Sequence, residues 1–154
     1  MMGAMNTLIH FIHLLSLVVW MGSIVFFSFF AAPSIFRVLD RQQAGEVVGA
    51  IFPKYYTLGY VCSLLAATTL ILSPPEVAAP PLVFLAIMAA CTFYAGMVIN
   101  PQARALKQQM QDQPENREAI EPQFRSLHGW SVRLNASVLI FGLGLLWTTA
   151  MRIM

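Results

Sequence analysis

Residues 7–32 read TLIHFIHLLSLVVWMGSIVFFSFFAA, and the first charged side chain of the chain is Arg37, beyond their end. A helix needs about 20 predominantly apolar residues to cross the hydrocarbon core of a bilayer, and this stretch exceeds that length. Three later stretches repeat the pattern. Residues 55–72 lie between Lys54 and Glu76, residues 81–99 lie inside a charge-free run from Val77 to Ala103, and residues 134–151 lie between Arg133 and Arg152. The last is the shortest, and His128 to Ser131 extend it into the interface. The fold class is therefore all-α, an integral membrane four-helix bundle, with residues 1–154 as one domain.

Composition supports this. Of 154 residues, 58% are hydrophobic and 10% charged, against roughly 25% charged in soluble domains. So few charges cannot cover a water-soluble enzyme of this size, whereas a bilayer solvates apolar surface. A net charge of +2, carried in segments beside apolar runs, gives no basic stripe for nucleic acid. The expected partner is the lipid bilayer, with other membrane subunits or a homo-oligomer as further candidates. The leading MMGAMNT has no Lys or Arg, and the first apolar run outlasts a signal-peptide core, so a cleaved signal peptide is not expected.

Proline marks the breaks, because the residue before it is pushed out of the helical region. Pro33 ends or bends the first span, Ser73-Pro74-Pro75 ends the second, Pro80-Pro81 opens the third, and Asn100-Pro101 closes or kinks it. Asp40 followed by Gln43 has the capping-box pattern of a helix start, from which a helix runs toward Pro53 and kinks into span two. Residues 101–112 are polar and helix-prone and continue span three. Glu121 and Arg125 stand at the spacing that pairs charges on a helix, so span four begins early, from about Pro122.

Every Lys and Arg except Arg152 lies in connections one and three: Arg37, Arg41 and Lys54 in the first, and Arg104, Lys107, Arg117, Arg125 and Arg133 in the third. By the positive-inside rule these connections face the cytoplasm and both termini face outward.

Few residues can carry chemistry inside such a bundle. His10 and His13 share one face of span one, continued by Ser16 and Trp20, with Gly22 beyond. Intramembrane ionisable groups are costly and often functional. A neutral imidazole can ligate haem iron or copper, or can simply bond a neighbouring helix. His128, Ser131 and Asn135 form a second polar face at the start of span four, which either locks the bundle or contacts a ligand. Met88 and Cys91 share a face of span three, and soft sulfur suits Cu(I), although Met is also a common apolar filler. The candidate set is therefore His13, His128 and Asn135 toward a cofactor, and His10, His13, Met88 and Cys91 toward a metal, with haem b or copper as the group held. Cys62 and Cys91 lack a CxxC pattern and read as small buried hydrophobes. His13 belongs to the outer leaflet and His128 to the inner, so one group held by both is not expected. Lys54, Tyr55, Tyr56, Tyr60, Trp130 and Arg133 read as interfacial anchors, and Gly22, Gly96, Gly142 and Gly144 as points of close helix approach. No hydrolase triad, HExxH or phosphate-binding loop is present.

Three ordered stretches, HLLSLVVWMGSIVFFSFFAAPSIF, AGEVVGAIFPKYYTLGYVC and LHGWSVRLN, resemble the transmembrane-protein-205-like family of four-helix bacterial membrane proteins. The first, through His13, Trp20 and Gly22, is also similar to bacterial copper-resistance inner-membrane proteins and, more distantly, to the four-helix protoporphyrinogen oxidase. The resemblance implies a bacterial inner membrane location and a four-helix fold, and no established reaction. The expected function is to bind or transport a metal ion, haem or small hydrophobic compound within the bundle. The alternatives are a structural or accessory subunit of a larger membrane complex, and a haem-dependent membrane oxidoreductase.

Overall fold

The computed structural model describes residues 2–72 and 79–153. The expected break at Ser73-Pro74-Pro75 lies outside the described residues. Among those described, the chain is all-α, in the order α1 (Met2–Phe26), a π-helical segment (Phe27–Ala31), α2 (Ala32–Val38), α3 (Arg41–Leu72), α4 (Ala79–Tyr94), a second π-helical segment (Ala95–Ile99), α5 (Asn100–Asp112), a 3-10 turn (Pro114–Asn116) and α6 (Arg117–Ile153). Four continuous rods result, 3–38, 41–72, 79–112 and 114–151, each long and apolar enough to cross a membrane. α1 packs on α3, α3 on α4, α4 on α6, and α6 on α1, which closes the ring of a four-helix bundle.

Burial follows the helical period even though the outward faces are also apolar. On α1 the buried side chains are His13, Ser16, Leu17, Trp20 and Ile24, while Leu15, Val18, Val25 and Phe26 are exposed. The core joins Leu17, Trp20 and Ile24 to Cys62, Ala66 and Leu70 of α3, Leu85 and Met88 of α4, and Val138 and Leu145 of α6. An exterior this apolar is unfavourable in water and favourable in lipid, so burial and composition agree on a multi-pass membrane protein.

The prolines bend the rods rather than end them. Proline lacks an N–H and clashes with the carbonyl four residues earlier. For Pro33 that carbonyl belongs to Phe29, and for Pro101 to Met97, and each falls inside a π-helical segment. There the ladder widens: the N–H of Ala32 donates to the Phe27 carbonyl, and that of Asn100 to the Ala95 carbonyl, each five residues back. The extra residue accommodates the proline without breaking the rod. Asp40 starts α3 as its sequence implied, its Oδ1 accepting from the N–H groups of Gln42 and Gln43 at 2.9 Å each. α3 then passes through Pro53 as one helix. α6 begins at Arg117, earlier than Pro122, and Glu121 accepts from both Arg125 (3.3 Å) and Arg41 (3.2 Å), tying the starts of α6 and α3 together.

Candidate functional site

Small residues let the helices close on one another. A Cβ on Gly96 would run into the Tyr60 hydroxyl and the Tyr56 ring, and one on Gly142 would sit 2.7 Å from the Met21 sulfur. Gly144 meets the Phe84 ring in the same way. Gly22 does not act like these: it is exposed and has nothing within 4 Å of its Cβ position. Gly59, which the sequence did not single out, is the tightest point between α1, α3 and α4. Its Cβ position lies 2.8 Å from the Thr92 methyl and 3.4 Å from Trp20 Nε1.

Beside Gly59 the packing opens into a largely enclosed, narrow interstice of about 180 Å³, lined by Trp20, Ser23, Ile24, Tyr55, Gly59, Thr92 and Asn135. Every rod contributes to it. Two of its hydroxyls, Tyr55 Oη and Thr92 Oγ1, are buried and have no hydrogen-bond partner among the described residues. Asn135 adds a carbonyl acceptor and an amide donor, and the Ser23 hydroxyl is turned onto the Trp20 carbonyl at 2.7 Å. An unpartnered hydroxyl in an apolar interior costs about 1–3 kcal/mol, and two facing one space make it the place in the bundle built to take a polar guest. The lining carries no formal charge, so it favours a neutral one.

The histidines sit elsewhere. His13 is buried, and its Nδ1 is 2.9 Å from Thr69 Oγ1. Ser16 beside it donates to the His13 carbonyl at 2.7 Å. Seven residues of helix separate His13 from Trp20, about 10 Å along the axis, so this pair lies toward the other end of the bundle. Thr69 was not among the residues expected near His13, because nothing in a single sequence registers α3 against α1. His10 is half-buried, and His128 is exposed at the start of the apolar part of α6. Of the polar face His128–Ser131–Asn135, Ser131 hydrogen-bonds the Tyr56 hydroxyl at 2.9 Å and Asn135 lines the interstice. Met88 is wholly buried in the core, with Cys91 packed against it. Among the described residues no three His, Cys, Asp or Glu side chains come together as a metal-holding group.

The tyrosines correct the sequence reading most. Tyr56, expected as an interfacial anchor, is buried against Ser131 and Gly96, and Tyr55 turns its hydroxyl inward. The signal available in the sequence was the small-residue stripe Gly59, Ser63 and Ala66, which continues inward from Tyr56 at helical spacing.

Fold and site together define a multi-pass helical membrane protein with an uncharged polar interstice between its spans. The chain belongs to the family described as a domain of unknown function (DUF4149), whose pattern matches residues 15–112. That match contains every residue lining the interstice except Asn135, and it excludes His10, His13 and His128. An uncharacterized protein of Aquifex aeolicus (strain VF5) is 54% identical over 48 residues, 31% of this chain and 35% of that protein. The chain thus matches only about a third of that relative's length. No solved structure matches.

Proposed function

We propose that this protein holds a small, neutral, hydrogen-bonding molecule inside its bundle, between Trp20, Tyr55, Thr92 and Asn135. The observation that carries this reading is the pair of buried hydroxyls of Tyr55 and Thr92, unpartnered among the described residues and facing one interstice. The rings of Trp20 and Tyr55 offer apolar walls to a flat compound, and Thr92 and Asn135 offer directional bonds, the usual make-up of a small-molecule site. A tetrapyrrole is far larger than a 180 Å³ space. Bare Cu(I) prefers soft sulfur, which that lining lacks. The reading therefore narrows the expected cargo from metal, haem or small hydrophobic compound to the last of these. It takes the whole chain as one domain in the bacterial inner membrane, with connections one and three in the cytoplasm, as the placement of Lys and Arg supports. A place among the transmembrane-protein-205-like proteins belongs to the same proposal.

Phenol, a small neutral ring with one hydroxyl, serves as a probe. Calorimetric titration of protein in mild detergent should give saturable binding. Tyr55→Phe should weaken it at least tenfold, about 1.4 kcal/mol, and should leave the unliganded protein as stable as before. Absence of saturable phenol uptake, together with an organic extract holding no co-purified compound, would sink the proposal.

A further inference from the structure

We propose that the interstice is reached from the face carrying connections one and three, through an aromatic gate of Phe27, Phe52, Tyr55 and Tyr56 hinged on the π-helical segment Phe27–Ala31. This rests on the pocket reading above. Tyr55 belongs to both structures: its hydroxyl looks into the interstice and its ring is part of a four-ring cluster. Ring centroids are 5.5 Å apart for Phe27–Phe52 and Phe27–Tyr55, 6.2 Å for Phe52–Tyr55, 6.0 Å for Phe52–Tyr56 and 5.2 Å for Tyr55–Tyr56. The cluster lies on the side of the interstice toward connection one, since Phe27 comes after Ile24 along the first rod and Phe52 precedes Tyr55 along the second. Toward the other end the way is filled by Leu17, Ala66 and Met88, each with no exposed surface.

The hinge is written in the backbone. Phe27 is the first residue of a π-helical segment, and its carbonyl takes the five-residue bond from Ala32. Trading that bond for an ordinary four-residue one shifts the helix by one residue, a rotation of about 100° between the two sides of the segment. Such a shift withdraws Phe27 from the ring cluster while the buried stripe before it stays packed. The opposite wall is built alike, with Thr92 one turn before the second π-helical segment at Ala95. As it stands the interstice is too narrow for a water-sized guest, so occupation requires its walls to part, and the two π-helical segments are where they can.

The test uses a single reporter thiol. In a background with Cys62→Ala and Cys91→Ala, Ser23→Cys places a thiol in the lining. A charged, membrane-impermeant methanethiosulfonate is applied to inside-out and right-side-out vesicles. From the face carrying connections one and three, Phe27→Ala and, separately, Phe52→Ala should each raise the labelling rate at least tenfold. From the opposite face the rate should not change. Phe29→Ala, in the same segment but with its ring exposed, should change nothing, and monodisperse elution of each variant excludes misfolding as the cause. Unchanged labelling in both gate variants, or an equal rise from both faces, overturns the gate. Loss of phenol binding in the native protein with a one-sided rise in labelling removes the ligand reading and keeps the route. Phenol binding with unchanged labelling does the reverse.

Discussion

The two ends of the bundle are packed by different rules. Toward the chain termini, His13 is bonded to Thr69, Ser16 to the His13 carbonyl, and Thr149 to the Leu145 carbonyl, all against a core of Leu17, Ala66, Leu70 and Leu145. Toward connections one and three, rings stack around an interstice that leaves Tyr55 and Thr92 without partners among the described residues. A bilayer gives an unsatisfied group no water to fall back on. An end whose buried hydroxyls are bonded is therefore built for stability, and an end that tolerates orphaned hydroxyls has traded stability for something else. Histidine drew attention to the first end by its chemistry, while the second carries the features of a site.

The largest expected effect breaks the ring-lined end. Gly96→Ala puts a Cβ against the Tyr60 hydroxyl and 2.9 Å from two inner atoms of the Tyr56 ring. Tyr60 is stacked on Phe93 with centroids 4.6 Å apart, and Tyr56 is held by Ser131, so neither yields easily. Overpacking of this kind costs about 1–3 kcal/mol or more, and SDS titration of the protein in micelles should show a loss at the top of that range. Gly142→Ala is the matched change at the other end. There the obstacle is the flexible thioether of Met21, which can swing away, and the loss should be clearly smaller. Equal losses would mean that the two ends are equally rigid.

The next effect tests whether the terminal end owes stability to its polar bond. Thr69→Val keeps the shape and removes the oxygen that His13 Nδ1 bonds, a cost of about 1–3 kcal/mol. The double variant His13→Leu with Thr69→Val should recover most of it, because replacing both partners by apolar groups is close to neutral. A metal-binding role for His13 predicts instead that the double variant loses bound metal, read by elemental analysis of the purified protein.

The four rods were legible in the sequence because a charge-free run of span length has few alternatives in water or lipid. The Asp40 cap and the Glu121–Arg125 pair were legible because both are local. The prolines announced breaks, yet Pro33 and Pro101 became π-helical bends, since lipid offers a broken helix no water for its freed carbonyls. The interstice was not legible. It needs Trp20, Tyr55, Thr92 and Asn135 from four rods at one depth, and only Trp20 and Asn135 lay on faces already marked as polar or continuous with His13. Tyr55 and Tyr56 were misread because the tyrosine expected at an interface and the tyrosine drawn inward by Gly96 look alike in one sequence.

The smallest effect is the sharpest. Thr92→Val exchanges a hydroxyl for a methyl of nearly the same size. Where the hydroxyl is bonded, as in Thr69, such an exchange destabilises. Thr92 Oγ1 has no partner among the described residues, so the exchange removes a buried polar atom that nothing compensates. Stability of the unliganded protein should therefore hold or rise by a few tenths of a kcal/mol, while phenol affinity falls. A clear loss of stability would show that the hydroxyl is satisfied in the membrane, most simply by a water bridging Thr92 to Tyr55 or Asn135 after the walls relax. The interstice would then be a hydrated joint of the bundle, and the two ends would obey the same rule after all.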